Sequence, residues 1–128
     1  MPRDEVVIAT KALGRMHPGP NGAGGSRGHI LAQVEDSLKR LQLDHIDLYQ
    51  IHGWDATTPI DEPLYALDLL ARSGKVRYVG LSNWAAWQVA KAQGINERKG
   101  YAPLALLQSY YTIAERDLEL EVIPMLQS

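Results

Sequence analysis

The sequence predicts an α/β fold of four consecutive βα units with parallel strands. Residues 6–10, Ile46–Ile51, 75–81 and 104–107 are short runs rich in β-branched, aliphatic or aromatic side chains. After a loop, each is followed by a segment whose apolar residues recur at helical spacing, as expected of a helix that buries one face. Strands joined through helices must lie parallel, with right-handed crossovers, so all four strand C-termini point the same way. A further regularity is that the runs end on polar residues suited to chemistry: Lys11, His52, Ser82 with Asn83, and Gln108.

Each element has its own local justification. Val6, Val7, Ile8, Ala9 and Thr10 form a β-branched run that predicts a strand buried on both faces and ending on Lys11. A Gly/Pro-rich loop occupies residues 14–25. Ser26 fits the N-cap of a helix in which Ile30, Val34, Leu38 and Leu41 recur, with Lys39 and Arg40 near its C-terminal end, where cations complement the helix dipole. Ile46, Leu48, Tyr49 and Ile51 predict the second strand, which stops on His52 and a Gly53, Trp54, Asp55 loop. Asp61, Glu62 and Pro63 suit a first helical turn, Leu64, Leu67, Leu70 and Ala71 form its stripe, and Ser73 with Gly74 stops it.

Residues 75–81 predict the third strand. Trp84, Trp87, Val89, Ala90 and Ala92 predict a helix over residues 84–93 ended by Gly94, with Trp84 and Trp87 read as packed into the core and, as the alternative, lining a substrate pocket. Residues 104–107 form the fourth strand, ending on Gln108. In residues 115–128, Leu118, Val122 and Leu126 share a helical face, and Glu115 and Asp117 near the start favour helix. The alternation from Leu118 to Val122 leaves a strand open there.

The chain has 128 residues, 45% hydrophobic and 22% charged, which fits one globular domain with a core of its own. A net charge of -2 offers no electrostatic basis for nucleic acid or an anionic membrane as partner. There is no cysteine, which excludes disulfides and thiolate chemistry, and His17, His29, His45 and His52 lack metal-ligand spacing, so no metal is expected. The first residues are charged, the apolar run after them is too short for a signal peptide, and no run approaches the roughly 20 apolar residues needed to span a bilayer. A cytoplasmic location is the expectation.

The 14–25 loop has neither the closing Gly-Lys-Ser/Thr of a phosphate loop nor the glycine spacing of a dinucleotide fingerprint, and reads as a mobile active-site loop or a linker. Alone, Lys11 is a lysine that extends its ammonium to the rim, and His52 a histidine hydrogen-bonded beside a strand end. Their convergence with Ser82, Asn83 and Gln108 carries more weight, because ligands of parallel α/β proteins bind at the C-terminal edge of the sheet. Trp54 is a candidate for the substrate pocket. Gly80 marks either a close backbone approach or a weak point in its strand, and Glu35 and Lys39 form an i,i+4 surface pair.

Several of these segments, in order, resemble one family. They are Val7, Ile8, Ala9, Thr10 and Lys11; Ser37, Leu38, Lys39, Arg40 and Leu41 leading into Asp44; Asp47, Leu48, Tyr49, Gln50, Ile51 and His52; residues 74–84; and Leu107, Gln108, Ser109, Tyr110 and Tyr111. Together they cover essentially the whole chain and resemble the aldo-keto reductases, with residues 47–52 and 74–83 most similar to the bacterial branch related to potassium-channel β-subunits. The resemblance implies a (β/α)8 TIM barrel that reduces aldehydes or ketones with NADPH. In such enzymes a tyrosine donates the proton, a lysine paired with an aspartate lowers that tyrosine's pKa, and a histidine orients the carbonyl. Lys11 matches the lysine and His52 the histidine, while Ser82, Asn83 and Gln108 match residues that hydrogen-bond the nicotinamide carboxamide.

The departures from the family pattern set a further expectation. The family's tyrosine and aspartate precede the lysine strand, whereas Tyr49, Tyr65, Tyr78, Tyr101, Tyr110 and Tyr111 all follow Lys11 and none matches the proton donor. The region for the adenosine 2′-phosphate would follow residue 128. Residues 1–128 are therefore expected to be a partial barrel domain, the third to sixth βα units, holding only the nicotinamide end of NADP(H) beside a small carbonyl substrate and inactive alone. Two open sheet edges and an uncovered inner face are expected to favour self-association. The alternative reading is a non-catalytic nicotinamide-binding or half-barrel assembly module.

Overall fold

The structure, a computed structural model, describes residues 2–128. Four strands, β1 (Ala9–Ala12), β2 (Ile46–Ile51), β3 (Val76–Ser82) and β4 (Leu104–Gln108), form one sheet in the order β1-β2-β3-β4 with every neighbouring pair parallel. Between them run α1 (Arg27–Leu41), α2 (Asp61–Arg72) and α3 (Ala86–Lys99). A 3-10 turn at Arg3–Glu5 precedes the sheet; a second at Asp117–Glu119 and the short α4 (Val122–Gln127) follow it.

Alternation along the strands divides their side chains between two faces. Tyr49, Ile51, Val79 and Leu81 share one face and are buried in a core with Ile30 and Val34 of α1, Leu64, Leu67 and Leu70 of α2, and Val89, Ala92 and Ile95 of α3. Lys11, Gln50, Gly80 and Leu106 lie in register on the other. Among the described residues no helix covers that face, and Tyr78 and Leu106 on it remain 63% and 37% exposed.

The first two helices form for the reasons their sequences give. Ser26 caps α1 by accepting from the His29 amide at 3.3 Å, and Gln42, in the left-handed conformation at φ 55°, closes it. Leu41 lies in that last turn and is 44% exposed, so it does not join the core stripe. Buried Asp68 of α2 accepts from Arg72 at 2.7 Å and from the Ala102 amide at 2.9 Å, which ties α2 to the chain entering β4.

Further expectations are corrected. The first strand starts at Ala9, runs through Lys11 to Ala12, and is not buried on both faces: Val7 is 77% exposed. Here the Ile8 carbonyl accepts from the Asp47 and Leu48 amides, both at 3.1 Å, but the Ile8 amide donates to the Asp47 carboxylate at 2.8 Å, which also binds Arg3 at 2.7 Å, so a side chain takes one bond of the ladder. Gly94 does not stop α3; the helix continues to Lys99 because Ile95 and Asn96 extend its buried stripe, and Gly100, at φ 67°, ends it. Trp84 precedes α3, although it is buried, and Trp87 stands 58% exposed on the helix rather than in the core. The segment from Glu115 onward is two short pieces, because a continuous helix would place Pro124 in its interior, whereas restarting at Val122 places it in a first turn.

Glu35 pairs with Lys75 at the start of β3 rather than with Lys39. Gly80 is a close approach: a Cβ there would stand 2.8 Å from the Leu106 carbonyl oxygen. The register between β3 and β4 shifts at the same point, with Val79 opposite Leu104 and Gly80 opposite Leu106, so Ala105 is an extra residue in the edge strand.

Candidate functional site

The C-terminal ends of the strands gather the candidate residues on the helix-free face. Lys11 is opposite Gln50, Gln50 opposite Gly80, and Ser82 opposite Gln108. His52 follows two residues after Gln50, which returns it to the same face. Its backbone amide donates to the Ala12 carbonyl at 2.9 Å, so the end of β2 is fastened to that of β1 while the imidazole stays exposed. Lys11 is half-buried beside it.

Ser82, Asn83 and Gln108 meet at the ends of β3 and β4. Asn83 turns out of β3 in the left-handed conformation, φ 56°, which asparagine tolerates better than most residues. Its amide N–H donates to the Gln108 carbonyl at 2.8 Å, its side-chain amide donates to Ser82 Oγ at 3.3 Å, and its side-chain oxygen accepts from the Tyr110 amide at 3.1 Å. Ser82 is almost fully buried and Gln108 is exposed. Next to them, the Trp84 indole N–H and Ser109 Oγ are buried without a partner, in a cleft also lined by Asn83 and Tyr110.

Two contributors to this rim escaped the sequence reading. Gln50 is 2% exposed, sits between Lys11 and Gly80, and has a side-chain oxygen with no partner. The available signal was a glutamine inside an otherwise apolar strand, two residues before His52. Asp55 accepts from the Thr57 amide and hydroxyl at 2.9 and 2.6 Å, from the Thr58 hydroxyl at 2.7 Å and from the Gly25 amide at 2.8 Å. Burial pushes its carboxyl pKa up, but the hydrogen bonds from Thr57, Thr58 and Gly25 outweigh this and hold it well below the usual carboxylate range.

Those bonds also change the reading of the 14–25 loop, which is tied rather than a free linker. Within it the Met16 amide donates to the Gly22 carbonyl at 2.8 Å, the Gly24 amide donates to the Leu13 carbonyl at 2.9 Å, and buried His29 holds the Asn21 carbonyl at 3.1 Å. Trp54, on the neighbouring loop, sets its ring edge-on to Trp84 at 4.8 Å and to Trp87 at 5.7 Å. It thus belongs to an aromatic cluster above the strand ends.

Tyr49 and Tyr78, the two tyrosines within the strands, are not positioned to complete the set. Tyr49 is fully buried on the helix side of the sheet, and burial pushes its phenol pKa up, which keeps it neutral. Tyr78 lies on the open face, but opposite Leu48, toward the N-terminal ends of the strands. At that end Asp47 is held below the usual carboxylate range, chiefly by the Ile8 amide, with Arg3 and Arg77 adding to it.

A single parallel sheet with helices on one face and polar side chains converging at its C-terminal edge defines an α/β fold consistent with part of a TIM barrel. The sequence profile of the Aldo/keto reductase family matches residues 1–128, and the chain belongs to that family. It is 44% identical to the oxidoreductase YrpG of Bacillus subtilis over 126 residues, covering 95% of this chain and 39% of that relative. It is 40% identical over 114 residues to the L-glyceraldehyde 3-phosphate reductase of Escherichia coli K12, covering 89% and 33% of the two chains. With the norsolorinic acid reductase of Aspergillus flavus it shares 36% identity over 132 residues, 98% of this chain and 34% of the relative. The chain thus spans well under half the length of these relatives. Among the described residues, no helix is long and apolar enough to cross a membrane and no group of three or more His, Cys, Asp or Glu could hold a metal.

Proposed function

We propose that this chain carries part of the site of an NADP(H)-dependent carbonyl reductase. Lys11 and His52 act at the carbonyl, and Ser82, Asn83 and Gln108 hold the nicotinamide carboxamide. The observation that carries the reading is the convergence of all five residues at one edge of one sheet, four of them on the face that no helix covers. The residue types fit a carboxamide, since a hydroxyl and two primary amides each donate and accept, and the unpartnered Ser109 Oγ adds a buried polar group beside them.

When bound, NADPH supplies the hydride. The chain's own residues do the orienting and the electrostatics: the Lys11 ammonium places positive charge next to the carbonyl site, and the His52 N–H donates toward the carbonyl oxygen. Trp54 forms an apolar wall that limits access of water. We assign proton donation to a group other than this chain's tyrosines, since all six follow Lys11 in the sequence, where none matches the family's proton donor, Tyr49 is shielded and Tyr78 sits too low on the sheet. The chain alone is therefore expected to show negligible turnover of NADPH with 4-nitrobenzaldehyde, followed by absorbance. Turnover that vanished in a Lys11→Met variant would overturn the view of an incomplete site. Fluorescence titration with NADPH tests the other half: Gln108→Ala should weaken binding about five-fold, as expected for loss of one hydrogen-bonding group. Binding indifferent to Ser82→Ala, Asn83→Ala and Gln108→Ala would sink the assignment of the nicotinamide subsite.

A second reading, an assembly module that closes its open face against another chain, is favoured by the exposure of Tyr78, Leu106 and Val7 and by the unpaired outer edges of β1 and β4.

A further inference from the structure

We propose that Asp55 is a positioning residue that latches the 14–25 loop to the β2–α2 loop and so fixes the Trp54 wall of the site. The functional meaning of that wall rests on the reductase reading, but the latch itself stands on contacts that involve neither cofactor nor substrate. Both carboxylate oxygens are fully used. One accepts from the Thr57 amide and hydroxyl, the other from the Thr58 hydroxyl and, across the gap between loops, from the Gly25 amide.

The approach is close enough to dictate sequence on the far side. Gly24 sits at φ 96°, and a Cβ there would stand 2.8 Å from the Asp55 oxygen. The Gly24 amide meanwhile bonds the Leu13 carbonyl, two residues beyond Lys11. A closed circuit results: from Lys11 through Leu13 to Gly24 and Gly25, across to Asp55, and back through Trp54 to His52. Leu13, Arg15, Trp54 and Asp55 line one cleft within it. The Trp54 ring is held between this latch and the edge-on contacts with Trp84 and Trp87.

A carboxylate is required, because an amide would present N–H groups on one side. The two threonine hydroxyls can rotate to accept, whereas the Gly25 and Thr57 amides cannot, and one of them would face a donor in either orientation of the amide.

The test uses the full chain without ligand, comparing wild type with Asp55→Ala and, from the opposite side of the contact, Gly24→Ala. Arg15 is exposed in the loop, and mass spectrometry reports tryptic cleavage after it. Cleavage is expected to be about ten-fold or more faster in both variants, because loss of hydrogen bonds to a charged acceptor raises the population of the open loop. The circular-dichroism couplet of the Trp54–Trp84 pair near 230 nm should shrink in parallel, while hydrogen exchange in β2 and β3 stays slow. Wild-type cleavage and an unchanged couplet in both variants would overturn the proposal. So would loss of protection spread evenly through β2 and β3, which marks a general fold defect. Should Asp55→Ala fail to fold, Gly24→Ala decides by the same readouts. Because no step measures reduction, failure of the latch and failure of the reductase reading remain distinguishable.

Discussion

Single side chains in this structure carry consequences of opposite sign. Tyr49 buries a hydroxyl with no partner, so Tyr49→Phe removes an unmet desolvation cost and should stabilise the chain by about 1 kcal/mol in urea unfolding at neutral pH. Burial raises the folded-state phenol pKa above the ordinary value of 10.0. The stability tied to the neutral phenol is therefore fully present below about pH 10 and lost as pH rises further, through the higher folded value. Wild type should weaken in that alkaline range more than Tyr49→Phe does. Gly80→Ala runs the other way: its methyl would press the Leu106 carbonyl on the neighbouring strand, at an expected cost of about 2 kcal/mol by the same measurement. His52 and Ser82 were legible from the sequence as strand-end residues because a parallel topology aligns such ends. Gln50 and Asp55 were not, because what distinguishes them is an unmet or over-met hydrogen-bonding capacity that only neighbours from other segments create.

At the scale of elements, sequence pattern located every helix and strand between Ser26 and Gly80 but misjudged those whose ends depend on distant contacts. Gly94 looked like a terminator because glycine weakens helices, yet Ala92 before it and Ile95 and Asn96 after it are buried and carry the helix past it. Nothing lies within 4 Å of a Cβ placed at Gly94, and its φ is not in the left-handed region. Gly94→Ala should therefore stabilise α3 by about 0.7 kcal/mol, through the smaller entropy an alanine loses on folding. The midpoint of thermal unfolding should rise, and a fall would mean that α3 is strained at that turn. The N-terminal strand failed for the reverse reason. Its β-branched run predicts ladder hydrogen bonds from both backbone groups, but while the Ile8 carbonyl makes them the Asp47 carboxylate takes the Ile8 amide, and a side chain from another strand cannot be weighed by local pattern.

The whole molecule presents two dissimilar surfaces. The helix side is closed by an apolar core, while the other side of the sheet leaves Tyr78 and Leu106 in solvent, with Asp47 and Arg77 nearby in the same concavity. Such a face, flanked by two unpaired edges, is an association surface in physical terms. Size-exclusion chromatography with light scattering is expected to show dimers or larger species whose proportion grows with concentration. A Tyr78→Lys variant should shift the distribution toward monomer, and a monodisperse monomer from the unmodified chain would count against assembly. This asymmetry was readable in part: near-continuous apolar strands announced burial, and the resemblance to half a barrel set the expectation of an uncovered inner face, but the strand pattern alone did not say which side chains would line it.

The extra residue at Ala105 has a geometric meaning beyond the close approach beside it at Gly80. Inserting one residue makes β4 longer than the stretch of β3 it accompanies by about 3.3 Å, the rise of one strand residue. A strand that carries such an extra residue bends at that point, and the right-handed twist beside it increases. Curl is thus written into the covalent chain at its last strand, so any strand laid beyond β4 would inherit a bent template instead of having to impose one.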